Sequence, residues 1–388
     1  MLRKLFLRTP VAWQQLIKEK TRLAVAVAGI AFANLLIFIQ LGFQDALYDG
    51  ATQPHRLLQA DLVLISPQLQ SLFALQSFPR ERLYQTLSHE EVASVSSIYI
   101  DTAKWKNPDT RLTRSILVWG VDPTAPSLAF PEIKQNAQQL QLLNHILFDR
   151  ASRPEYGAIG DLIQKQGTME AELNSQNIQV TGLFTLGASF AADGNVIASD
   201  STFLKLFPER KPDRIEVGLI QLKPGVNVAQ VQGQLRAELG EVVKVVTPEE
   251  FAALEKLYWE SQGAIGFIFG LGVIVGFIVG LVIVYQILYT DVVNHLPEYA
   301  TLKAMGYGDG YFLGVLLQEA LILAILGYIP GFLISIGLYQ VAYWGTLLPI
   351  GMKLERAIFV LVLTIVMCTI SGAIALQKLR AADPADIF

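Results

Sequence analysis

Few side chains in this 388-residue sequence are placed for covalent chemistry. The four histidines, His55, His89, His145 and His295, stand apart, and none falls in an HxxxH or HExxH pattern that would set metal ligands on one helix face. No GxSxG turn presents a strained serine nucleophile. The one cysteine, Cys368, lies in an apolar run, so it forms no intramolecular disulfide and reads as a packing residue. No Gly-Lys dipeptide occurs, which excludes a GxxxxGK[ST] phosphate loop and places any ATP hydrolysis on another polypeptide.

What remains is recognition. Between two long apolar runs lies TDVVNHLPEYATLKAMGYGDGY, residues 290–311. Pro297 suits the first turn of a short helix, Glu298 beside it complements the positive helix end, Lys303 falls in the last turn, and Gly306 is the stop. A helix this short is marginal alone in water. Tyr299, Leu302 and Met305 share one face at spacing i, i+3, i+6, and that face is expected to pack on a soluble partner. Gln318 and Glu319, about two turns into the next apolar run, are expected to hydrogen-bond to a neighbouring span, with Asn34 and Gln40 as similar polar glue. Gly266, Gly270, Gly272, Gly276 and Gly280 are spaced for close helix approach, either within the chain or across a homodimer seam.

The elements that must position these residues are spans. Hydrophobic residues are 52% of the chain and charged residues 16%, with the apolar runs at the two ends and the charges in the middle. A net charge of -4 gives no reason to expect a nucleic-acid partner. Four runs reach the roughly 20 residues that cross a bilayer, 23–41, 263–289, 312–338 and 357–376. The third is followed by more apolar sequence and is expected to be one span bent near Pro330-Gly331, with Tyr339, Tyr343 and Trp344 at the far interface. Arg3, Lys4, Arg8, Lys18, Lys20 and Arg22 against Glu19 put residues 1–22 in the cytoplasm. The 290–311 loop and the 377–388 tail then lie on the same side, and 339–356 is a short outer loop.

Residues 42–262 form one long insertion outside the membrane. Alternating patterns predict strands over 61–66, 92–103 and 115–121 and a helix over 79–87, then a β-rich stretch over 177–199. A strand at 215–222, a helix at 228–239 and a strand at 241–246 follow. This pattern predicts a split α/β core of about 42–125 and 200–250, with a β-rich module of about 126–199 inserted in it. The stretch 249–262 then reads as a stalk helix continuous with the second span.

One span, a large external α/β domain and three clustered spans, with PEYATLKAMGYGDGY between the second and third and KLRAADPADIF at the end, resemble the permeases of the MacB/FtsX-type (type VII) ABC transporter superfamily. The opening LRKLFLRTPVAWQQLIKEKTRLAVAVAGIAFANLLIFIQLGFQDALYD with ADLVLISP is closer still to the DevC permeases of cyanobacterial DevBCA-type exporters. The resemblance implies a MacB-like fold of four transmembrane helices in the inner membrane, with the large domain in the periplasm and the chain working as a homodimer. It makes 290–311 a coupling helix for a separate ATPase subunit, which binds the ATP and Mg; this chain holds no cofactor and is not itself an enzyme. It further implies an HlyD-type adaptor, a TolC-like outer-membrane duct, and substrate, possibly a glycolipid, taken from the periplasm or the outer leaflet of membrane lipid. A signalling or lipoprotein-releasing permease of the FtsX or Lol kind is the alternative. Secondary transport would need repeats and broken helices, and reception a cytoplasmic output domain; the sequence offers neither.

Overall fold

The computed structural model describes residues 18–72, 76–190, 192–261 and 264–381. The basic residues Arg3, Lys4 and Arg8, the junction Gln262-Gly263 and the end of the tail lie outside them. The chain divides into two units, one of Met1–Asp45, Ala264–Trp344 and Ile350–Phe388, the other of Ala46–Gly263 and Gly345–Pro349.

Among the described residues, the first unit holds four helices long and apolar enough to cross a membrane. They are α1 (Lys20–Arg56), α9 (Ala264–Asn294), α11 (Asp309–Thr346) and α12 (Leu354–Ala381), with the nine-residue α10 (Leu296–Ala304) between α9 and α11. α1 begins three residues before the predicted span and runs for 37 residues, about 55 Å, so its last turns belong to the second unit. α11 is one helix of 38 residues with Pro330 inside it, in agreement with a single span. The bundle core is made of Ala26, Ile30, Val284, Leu288, Ala320, Leu323, Ala324, Met367, Cys368 and Ala375, drawn from all four long helices. Four of the ten are alanines, as close helix packing in lipid favours. Phe267, Ile268, Leu271, Ile274, Ile278 and Val282 of α9 face outward, an apolar stripe suited to lipid.

The second unit is an α/β layer structure. Its strands are β1 (Leu62–Ile65), β2 (Phe78–Pro79), β3 (Val92–Lys106), β4 (Thr113–Val121), β5 (His145–Asp149), β6 (Met169–Leu173), β7 (Gln176–Phe184), β8 (Asn195–Ser199), β9 (Arg214–Ile215), β10 (Val217–Leu222) and β11 (Lys244–Val246). Nine of them form one sheet in the order β11-β1-β10-β3-β4-β8-β5-β7-β6, and β2 pairs β9 apart from it. Alternation buries both faces. In β4, Ile116 and Val118 join one core while Leu117, Trp119 and Val121 join the other. The first face is covered by α2 (Glu81–Gln85), α5 (Ile159–Gln166), α6 (Asp200–Leu206) and α7 (Val228–Leu239), through Leu83, Ile163, Phe203 and Leu235 among others. The second is covered by α3 (Pro131–Gln135), α4 (Ala137–Leu140) and α8 (Pro248–Ser261), through Ile133, Leu140 and Phe251.

The strands expected of an inserted 126–199 module hydrogen-bond into the same sheet as those of 42–125 and 200–250, through the parallel pair β4–β8. Composition carries no signal for such long-range pairing. The predicted strand at 215–222 breaks at Glu216, whose carboxylate turns inward to accept from the Ile100 N–H at 3.0 Å. Asn174 and Ser175, at φ 48° and 60°, make the two-residue hairpin between β6 and β7. The start of α8 has a capping box, with Thr247 Oγ1 accepting from Glu250 N at 3.2 Å and Glu250 Oε2 accepting from Thr247 N at 3.0 Å, ahead of Pro248. α8 is helical to Ser261 and α9 from Ala264; whether they are one rod turns on Gln262-Gly263, outside the described residues.

Candidate functional site

α10 is fixed by a helix stop and an inward anchor. Gly306 at φ 94° takes the left-handed conformation, and Tyr307 N donates to Leu302 O at 3.2 Å, closing the C-terminal turn. Leu302 packs inward, with Leu296 and Leu313, against Val292, Phe312 and Leu316. Pro297 and Glu298 are exposed, and Met305 is 64% exposed. The face predicted from Tyr299, Leu302 and Met305 is therefore divided, because the flanking spans already provide Leu302 with an apolar seat. The side chains of Tyr299 and Lys303 lie outside the described residues.

Two polar girdles tie the helices around α10's supports. Near the Lys20 end, Arg22 NH1 lies 3.0 Å from Asp291 Oδ1 and 3.1 Å from Glu19 Oε2, while Arg22 NH2 donates to Ile287 O at 2.7 Å. Toward the other end of the bundle, Arg356 Nε donates to Asp45 Oδ2 at 3.0 Å and its NH2 reaches the same oxygen; the guanidinium also lies over the Tyr339 ring, 5.3 Å from its centroid. Arg22 and Asp45 are separated by about 35 Å of helix, close to the hydrocarbon thickness of a bilayer. Between them, Thr364 Oγ1 donates to Asn34 Oδ1 at 2.6 Å, joining α1 to α12 as polar glue.

Gly272, Gly276 and Gly280 pack against neighbours inside the chain. A Cβ on Gly276 would stand 3.0 Å from Ile37, one on Gly280 would stand 2.8 Å from Ala33 Cβ, and Gly272 meets the Gln40 side chain. α9 thus lies against α1, and through Gly280 and Met367 against α12. Gly266 is buried, and Gly270 faces open space. A further pair packs in the same way: Gly327 meets Ile30, and a Cβ on Gly331 would lie 2.9 Å from Ala31 O, so the Gly327-x-x-x-Gly331 spacing seats α11 on α1.

The histidines are held by neighbours rather than gathered. His89 Nε2 lies 2.8 Å from Glu238 Oε2, His145 Nδ1 lies 3.1 Å from Leu143 O, and His295 Nδ1 lies 3.1 Å from Asp291 O. His55, beyond Asp45 in the external unit, is fully buried with its Nε2 3.6 Å from Glu255 Oε2 and its ring edge-on to Phe251. Glu255 accepts from Leu72 N and from Trp259 Nε1, each at 2.9 Å. Burial lowers His55 to about 4, against the pull of the Ala51 and Thr52 carbonyls. Burial likewise pushes Glu255 up to about 7, against those two hydrogen bonds. Asp149, also buried, accepts from Leu186 N at 3.1 Å, Gly187 N at 2.8 Å and Asn195 Nδ2 at 3.0 Å, and so pins the glycine-rich loop between β7 and β8. Among the described residues no group of three His, Cys, Asp or Glu is arranged to hold a metal.

No curated protein matches the chain. Among solved structures, the periplasmic region of MacB from Actinobacillus actinomycetemcomitans is similar at 11% identity, over 50% of this chain and 91% of that one, with a TM-score of 0.34. The extracellular domain of the noncanonic ABC-type transporter YknZ from Gram-positive bacteria is similar at 13% identity, over 48% of this chain and 99% of that one, with a TM-score of 0.33. Residues 263–384, the stretch that holds α9 to α12, match the family described as FtsX-like permease C-terminal.

Proposed function

We propose that this chain is the permease subunit of an ABC exporter assembled from separate proteins. α10 docks on a separate ATPase subunit, which binds ATP and Mg, and its movement passes along the spans to the external α/β unit. The carrying observation is α10 itself, a short helix seated by Leu302 with Glu298 and Met305 exposed, inside the FtsX-like segment. Working as a homodimer in the inner membrane, with the α/β unit in the periplasm, two chains squeeze substrate toward an HlyD-like adaptor and a TolC-like duct. The resemblance of the N-terminal sequence to DevC permeases favours an amphiphilic cargo such as a glycolipid.

The test is capture of the ATPase from native membranes. A charge-assisted contact is worth about 1.5–3 kcal/mol, so Glu298→Ala, and likewise Met305→Asp, should weaken capture about tenfold or more. Leu302→Asp is unsuitable, because it would disturb the seat of α10 as well as any docking face. Unchanged capture by Met305→Asp would remove α10 from the interface. An adaptor and duct in the captured material support export; their absence with the ATPase retained supports the signalling or lipoprotein-releasing alternative.

A further inference from the structure

At the Lys20 end of the bundle two acids face each other with too few donors. Asp291 Oδ1 has Arg22, but Asp291 Oδ2 has no donor, and neither Glu319 oxygen has one although Glu319 is completely buried. Asp291, Glu319 and Arg22 line one cavity of about 10 Å³, room for a single water-sized particle, walled otherwise by Leu23, Ala26 and Leu323. The other charged or titratable groups nearby are Glu19 of α1, which is partly exposed and turned to Arg22, and His295 of α9, 3.6 Å from Asp291 Oδ1. No described charged side chain of α12 lines the cavity.

Two bare carboxylates cannot rest together in such a place. A metal cation would need five or six oxygens where three are free, beside a guanidinium that repels a second full positive charge. A bridging water would satisfy oxygens yet leave two negative charges against one positive. One proton needs only two oxygens, and Arg22 then balances the single charge that remains. We propose that Asp291 and Glu319 form a proton-binding site, one proton shared between Asp291 Oδ2 and a Glu319 oxygen, with Arg22 holding Asp291 in register. The site joins α9 to α11, the two helices that flank α10, so proton occupancy bears on where α10 is held. Loss of the proton sets two carboxylates against each other and drives those helices apart.

The experiment is infrared difference spectroscopy on the full chain reconstituted in lipid at neutral pH, comparing wild type with Glu319→Gln and with Asp291→Asn. A protonated-carboxyl stretching band that shifts in heavy water and is lost in both variants is expected. Glu255 contributes equally to all three samples and cancels. Glu319→Gln, whose amide donates in place of the proton, should melt with the wild type, whereas Glu319→Leu, which leaves Asp291 without a donor, should melt lower. A wild-type spectrum identical to that of Glu319→Gln overturns the proposal. So does stabilisation of the wild type by sodium chloride over choline chloride that vanishes in Glu319→Gln, which would make the site a metal-cation site.

Discussion

His55 and Glu255 show how burial alone sets protonation. The folded state holds Glu255 up at about 7 from an ordinary 4.5, so this group's stabilisation is complete below 4.5 and is lost as pH rises through about 7. His55 is held down at about 4 from 6.5, so its stabilisation is complete above 6.5 and is lost as pH falls through about 4. Between about 4.5 and 6.5 the two slopes oppose, and the site should leave stability nearly flat. Glu255→Gln removes one slope. Thermal unfolding of the variant in detergent should then show stability rising by about 3 kcal/mol from pH 4 to pH 6.5, with no decline above. A wild type that loses stability steadily on acidification from 6.5 would mean that Glu255 is ionised beside a neutral His55. A second residue-scale prediction concerns Asp45, the carboxylate partner of the buried Arg356. Asp45→Ala should cost about 1.5–3 kcal/mol, and Asp45→Glu should recover part of it, in the same melting measurement. Neither pair was legible in the sequence, because 200 residues separate His55 from Glu255 and 311 separate Asp45 from Arg356, and nothing local announces either meeting.

At the scale of elements, the spans were the most legible feature and their partners the least. Continuous apolar runs mark α1, α9, α11 and α12 unmistakably, since lipid imposes length and composition together. Glycine spacing in α9 announced close approach but could not say to what; the packing of Gly276 on Ile37 and of Gly280 on Ala33 and Met367 supplies the answer within the chain. Gly280→Leu should therefore abolish the packing of α9 on both α1 and α12, read as loss of folded protein after detergent extraction. Gly270→Leu, with open space ahead of it, should extract and fold as the wild type does. Equal losses in both variants would put the seam elsewhere. α10 was legible as a helix, through Pro297, Glu298 and Gly306, while its inward face was not: the period alone does not tell a partner's groove from the chain's own Val292, Phe312 and Leu316. In the external unit the helix at 228–239 and the strands at 92–106 and 113–121 follow their patterns closely, whereas the parallel pairings that merge the sheet are set by tertiary contact.

For the whole molecule, the central claim is that ATP-driven movement at α10 reaches the external unit. The measurement is the distance between spin labels at Ser175→Cys in the exposed β6–β7 hairpin, in the two copies of a reconstituted complex with the separate ATPase, with Cys368 replaced by alanine to leave one labelling site. Addition of ATP should shift that distance in the otherwise unaltered chain, and several glycines inserted after Gln262 should abolish the shift while ATP hydrolysis continues. An unchanged distance on ATP addition, or an equal shift in the glycine-inserted chain, would contradict the account.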